Sequence, residues 1–100
     1  MLYEFEWDSG NLTKMEKVSA SGRHFSISEI ESVFQDLLVI TQTTYSDPIS
    51  DEDRYITFGM SNQSRVVSVV FVVRTGRISV FNVWKTKGSK LKEYHGQKAK

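Results

Sequence analysis

The chain has 100 residues, 39% of them apolar and 12 of them aromatic, with a formal net charge of +1. That supports one domain with one modest core and is too short for two. There is no cysteine, which excludes disulfides and thiolate metal sites. The longest apolar run, Val69 to Val73, is far too short to cross a bilayer.

Charge is sorted along the chain. Residues 1–53 hold 3 Lys/Arg against 11 Asp/Glu, a net of −8. Residues 54–100 hold 10 Lys/Arg against one acid, Glu93, a net of +9. A basic half of this kind suits phosphate or an acidic partner surface. A plain solvated basic face is the competing reading. The opening MLYEFEWDSG has neither a basic start nor a long apolar stretch, so no signal peptide is expected. Together with the missing cysteines this points to a cytoplasmic protein.

Leu2–Trp7 alternates, with Tyr3, Phe5 and Trp7 on one side and Glu4 and Glu6 on the other. This predicts a half-buried edge strand. Asp8 can cap a short helix over Ser9–Lys17, with Leu12 and Met15 inward. Ser26-Ile-Ser-Glu29 is a capping-box pattern. Behind it Ile27, Ile30, Val33, Phe34 and Leu37 recur at helical spacing, predicting an amphipathic helix over 28–37. Leu38–Thr43 is β-branched and reads as a strand, and Thr44–Asp53 reads as an exposed acidic loop around Pro48.

Three strands are predicted next: Arg54–Met60, Arg65–Arg74 and Arg77–Lys85. The second is apolar on both faces, as a central strand should be. Thr75-Gly76 gives the third the short link of a hairpin. Strict alternation places Arg77, Ser79, Phe81, Val83 and Lys85 on one face of the last strand, with Ile78, Val80, Asn82 and Trp84 on the other. Lys90–His95 is expected to form a short C-terminal helix capped by Ser89. The fold class is therefore α+β, an antiparallel meander covered on one face by two N-terminal helices. A single domain over 1–95 and a disordered tail over 96–100 complete the expected organisation.

Several local words, in order and at near-constant spacing, carry a family resemblance. Phe5-Glu6-Trp7-Asp8 with Asn11-Leu12 and Lys14 resembles an FEWD…N-L-x-K start. Ser26 through Phe34 resembles an S-F-E-E-A-x-x-V-F helix, and Glu52-Asp53-Arg54-Tyr55-Ile56 with Gly59 resembles E-E-R-x-x-x-x-G. Arg65–Val73 with Gly76-Arg77-Ile78 resembles a G-R-L-L-V-V-V…G-x-R-I-R hairpin, and Tyr94 falls at a closing E-R-x-x-Y. These words resemble the BrnT toxins of type II toxin–antitoxin pairs. The resemblance implies a compact RelE-like fold, metal-independent endoribonuclease activity that inhibits translation, and RNA as ligand, with possible targets on the ribosome. It also implies an antitoxin partner, encoded adjacently.

Two family words differ. Met15-Glu16-Lys17 stands where the family reads K-H-G, and Phe81-Asn82-Val83-Trp84-Lys85-Thr86-Lys87 stands for I-S-A-R-R-A-T. These changes motivate an alternative, a non-catalytic RNA- or protein-binding module on the same scaffold.

Metal-independent RNA cleavage needs a base for the 2′-hydroxyl, a cation for the phosphorane charge and an acid for the leaving oxygen. Lys14, which matches the family start, and His24, beside Arg23, are candidates with Arg65 and Lys85. The hairpin should bring Arg65 near Lys85 and Arg74 near Arg77. Arg74, Arg77 and Lys87 are candidate RNA-binding cations, and Trp84 a candidate base-stacking surface. His95 reads as a solvated tail histidine. Neither histidine has an obvious third metal ligand, and no metal or cofactor is expected.

Overall fold

The computed structural model describes residues 4–8, 10, 25–47 and 52–98, without the side chains at 44–47, 52–53, 81 and 98. The expected first helix over Ser9–Lys17 lies almost wholly outside them. Four strands, β1 (Ile40–Asp47), β2 (Glu52–Met60), β3 (Val66–Arg74) and β4 (Arg77–Lys85), form one sheet in the order β1-β2-β3-β4. Every neighbouring pair is antiparallel. The meander is thus as the alternation predicts, and β3 is an inner strand. The N-terminal segment extends the sheet: Phe5 bridges Ile78 in parallel, with Glu6 N–H donating to Ile78 O at 2.9 Å and Ile78 N–H to Glu4 O at 2.9 Å.

The helices differ from the expectation of two on one face. Helix α1 (Ile27–Val33) packs Ile30 and Val33 on Val67, Val69 and Phe71, residues of one parity along β3. Helix α2 (Gly88–Lys98) packs Tyr94 and Leu91 with Phe58 and Val66, which belong to the other parity. Among the described residues there is one helix per face, and the sheet lies between them. The reason is the apolar two-sidedness of β3: each of its faces needs its own cover.

Helix α1 starts as its sequence dictates, with Ser26 Oγ accepting from Glu29 N–H at 3.0 Å. It ends early, at Val33 rather than at 37. The cause is Asp36, whose Oδ1 accepts from Leu38 N–H at 3.1 Å and whose Oδ2 accepts from Met60 N–H at 2.7 Å. These bonds turn the chain out of the helix. Leu37, expected on the inner stripe, is 99% exposed. Gly59 allows this junction, since a Cβ there would lie 3.1 Å from Asp36 Oδ2 and 3.2 Å from Val33 O.

Strand β4 also departs from simple alternation. Val70 pairs with Asn82 but Phe71 pairs with Val80, so Phe81 is an extra residue in a β-bulge. The bulge resets the parity. Ile78, Val80, Val83 and Lys85 share the α1 face, and the first three are buried. Arg77, Ser79, Asn82 and Trp84 share the α2 face. The expected continuous face from Arg77 to Lys85 does not form. Asn82 does not interrupt an apolar face; its Oδ1 accepts from Val83 N–H at 2.9 Å beside the bulge. The β3–β4 turn has positive φ at both central residues, 52° at Thr75 and 75° at Gly76, the backbone that a two-residue hairpin of right-handed twist needs.

Candidate nucleic-acid groove

At the end of the sheet where β3 begins and β4 ends, both helices approach the same edge. There the side chains of Met60, Ser64, Arg65, Val66, Lys85, Thr86, Leu91 and His95 line an open groove of about 250 Å³. Its lining mixes the apolar side chains of Met60, Val66 and Leu91 with Arg65, Lys85 and His95. The register explains the meeting, since Val67 faces Lys85 and so sets Arg65 just across from the end of β4. A second cavity of about 310 Å³, on the α1 face, is lined by Phe34, Val39, Phe71, Val73 and Ile78, with Thr41 and Thr57 as its polar side chains. It has no charged lining and does not suit phosphate.

Arg65 reaches the groove in a fixed pose. Its Nε and Nη2 donate to the two oxygens of Glu29, each at 2.6 Å. Its guanidinium carbon lies 4.5 Å from the ring centre of Phe25. Glu29 is 2% exposed and also accepts from Ser61 Oγ at 2.7 Å. Hydrogen bonding from Arg65 holds the Glu29 carboxyl below the usual carboxylate range, against the burial that pushes it up. The same bond raises Arg65. The Glu29 side chain therefore does not close the capping box with Ser26; it anchors a groove cation.

The remaining sites spread out. Lys85, exposed, lines the groove from the end of β4, and exposed Lys87 follows two residues on. Arg74 and Arg77 are directly paired, as expected, but at the other end of the hairpin. Arg77 Nε lies 3.7 Å from Glu4 Oε2, both side chains well exposed. Trp84 is half-buried opposite Ser68 and does not line the groove. Lys14 and His24 lie outside the described residues. Trp7 is an anchor: its Nε1–H donates to Glu31 Oε2 at 2.8 Å, and its ring stacks 6.3 Å from Phe5.

His95 is the groove residue that sequence reasoning set aside as tail. The helix runs on to Lys98, past the expected end at His95, and Gln97 Nε2 donates to Leu38 O at 2.8 Å. The readable signal was its i, i+4 spacing from Leu91, which puts both on one side of α2. Tyr94 fixes the rotation of that helix. It is 0% exposed, and its hydroxyl donates to Asp36 Oδ2. Burial, then the Asp36 hydrogen bond and charge, push the Tyr94 phenol up to about 12. Among the described residues no three His, Asp or Glu side chains cluster as a metal site, and no helix is long and apolar enough to cross a membrane.

These two shifted groups set the pH dependence of stability. A raised Tyr94 pKa stabilises the fold below the unfolded value of 10.0, and that contribution is lost as pH rises toward 12. A lowered Glu29 pKa stabilises the fold above its unfolded value of 4.5, and that contribution is lost as pH falls below it. Urea midpoints at fixed ionic strength should thus decline on both sides of a neutral plateau. Tyr94→Phe should flatten the alkaline limb relative to the parent chain. An alkaline limb of unchanged depth in Tyr94→Phe would refute the assignment.

Comparison with known families gives a match over residues 7–87 to the family described as ribonuclease toxin, BrnT, of type II toxin-antitoxin system. No curated protein matches the chain.

Proposed function

We propose that this chain, which belongs to the BrnT family of ribonuclease toxins of type II toxin–antitoxin systems, acts as a toxin that binds and cuts RNA at the groove between β3, β4 and α2. The observation that supports this reading is the convergence of Arg65, Lys85 and His95 on one open groove, in a chain matched to the family over 81 of its residues. Cations fixed beside a reacting phosphate stabilise the charge that develops there, usually the largest catalytic contribution. In this reading Lys85 meets the phosphorane directly. Arg65 adds positive potential while Glu29 holds it in place. In this reading the neighbouring 2′-oxygen is the nucleophile, and side chains rather than a metal supply the charge and the proton transfer. Lys14 and His24 remain candidates for proton transfer from the N-terminal region, and Lys87 for holding the flanking RNA backbone. Arg74 and Arg77, at the other end of the hairpin, and Trp84, outside the groove lining, stand apart from this chemistry. The expected RelE-like fold and action on ribosome-bound RNA in the cytoplasm belong to the same reading. An antitoxin would silence the toxin by covering the groove with acidic side chains.

Induced expression tests this. The native chain should arrest growth, and Lys85→Ala should relieve the arrest at equal soluble protein level. Arrest that Lys85→Ala leaves intact would remove the groove from the function. No arrest from well-folded native chain, with salt-dependent RNA binding and no cleavage product, would favour the non-catalytic binding module.

A further inference from the structure

His95 lines the same groove as Arg65 and Lys85. Three observations place it there. Leu91 and His95, four residues apart on α2, both line the groove. The helix cannot rotate them away, because buried Tyr94 is tied to Asp36 and Gln97 is tied to Leu38 O. The imidazole is exposed to the groove and packs edge-on against the Tyr94 ring, with centroids 5.6 Å apart. The groups that face it are Arg65 from the start of β3, with Glu29 behind that guanidinium, Lys85 from β4, and the hydroxyls of Ser64 and Thr86. Arg65 and Lys85 supply the positive charge of the groove, and the Glu29 carboxylate is engaged by Arg65. His95 is the one imidazole among the lining side chains, and imidazole is the side chain most often used to take and give a proton in general acid–base catalysis.

We propose that His95 is the general base of this groove, acting on an RNA strand whose phosphate lies at Lys85. This rests on the ribonuclease reading above. The neutral imidazole takes the proton of a 2′-hydroxyl. The 2′-oxygen forms a bond to the adjacent phosphorus as the bond from phosphorus to the 5′-oxygen breaks. The leaving 5′-oxygen takes a proton from water, and the imidazolium returns its proton to the hydroxide so formed. The products are a 2′,3′-cyclic phosphate and a 5′-hydroxyl, with no oxidant, reductant or metal consumed. The apolar lining residues Met60, Val66 and Leu91 suit the face of an unpaired base, so single-stranded RNA is the substrate form.

The test uses the purified full chain and a labelled single-stranded RNA, measuring cleavage rate and binding separately. His95→Ala and His95→Gln should each slow cleavage about 100-fold or more, the usual weight of general acid–base catalysis, while RNA affinity changes less than about threefold. The native rate should rise with pH to a plateau through the range where imidazole titrates, and both variants should lose that limb. Added imidazole should restore part of the His95→Ala rate. A native chain that cuts, with variants that cut equally fast, would overturn the role of His95 and leave the ribonuclease reading standing. A native rate that falls with pH through the same range would also overturn the assignment as base. A native chain that binds RNA and cuts none would overturn both readings.

Discussion

Glu29→Ala should lower the unfolding free energy by about 3 kcal/mol, near the lower end of the range for breaking one side of a buried ion pair. The lower end applies because the Arg65 side chain is 34% exposed while that of Glu29 is 3% exposed. The loss has a definite origin. Without the carboxylate, the Arg65 guanidinium keeps its seat over Phe25 with two donors unanswered, and buried Ser61 loses its acceptor. For a domain of this size the melting temperature should fall by about 12–24 °C. Glu29→Gln, which retains shape and one acceptor, should lose about half as much. A double-mutant cycle with Arg65→Met separates the pair from its surroundings. A loss below about 1 kcal/mol would mean that water screens the pair like a surface bridge. The experiment also guards the functional assays: Arg65 variants lose fold stability as well as charge, so they must be compared well below their own melting temperature.

Asp36→Ala should cost about 3–4 kcal/mol, read from urea unfolding. One carboxylate accepts from three donors on three parts of the chain: the Tyr94 hydroxyl, Met60 N–H and Leu38 N–H. Hydrogen bonds to a charged acceptor contribute about 1.5–3 kcal/mol each and do not simply add. Two of the orphaned donors are backbone amides beside a packed junction, where Gly59 leaves little room for water. Asp36→Asn should cost less, about 1–2 kcal/mol, because its carbonyl still serves one amide. The two carboxylate variants should differ in where they loosen the protein. Amide exchange should accelerate mainly in α1 and the 61–65 turn for Glu29→Ala, and mainly in α2 for Asp36→Ala. Equal acceleration everywhere would show that the domain opens only as a whole.

The strand order was legible because each strand announces itself by local chemistry. Val66–Arg74 is apolar on both faces, the Thr75-Gly76 link closes a hairpin, and β4 begins and ends where the alternation predicts. The start of α1 was equally plain, since a serine cap works through its own next turn. What failed to show was every feature set by a distant partner. Asp36 stops α1 through bonds to Met60 and Tyr94, which lie 24 and 58 residues away. The bulge at Phe81 follows from the need to bury Ile78, Val80 and Val83 on one face, which no window of alternation reveals until β3 is laid beside them. The groove was half legible. Register alone brings Arg65 to Lys85, but Glu29 reads as a capping residue. Its four-residue spacing from buried Val33 was the only sign that it faces inward. His95 looked like tail because the anchor that keeps α2 in place, Tyr94 on Asp36, spans more than half the chain.

The bulge also sets how the molecule should feel salt. An unbroken ladder would have let one RNA strand touch Arg65, Arg74, Arg77, Lys85 and Lys87 together. Instead the extra residue turns Arg77 to the face opposite Lys85, and the length of a nine-residue strand at about 3.3 Å per residue separates them further. A strand seated in the groove would displace the condensed ions of only two or three phosphates. Each contributes about 0.7 to the slope of log affinity against log salt for single strands. The slope should therefore be about −1.4 to −2.1 rather than the −3.5 or so of a five-cation stripe. On the proposed reading, the chain should hold RNA lightly at cellular ionic strength and rely on the chemistry of one short groove rather than on a long electrostatic grip.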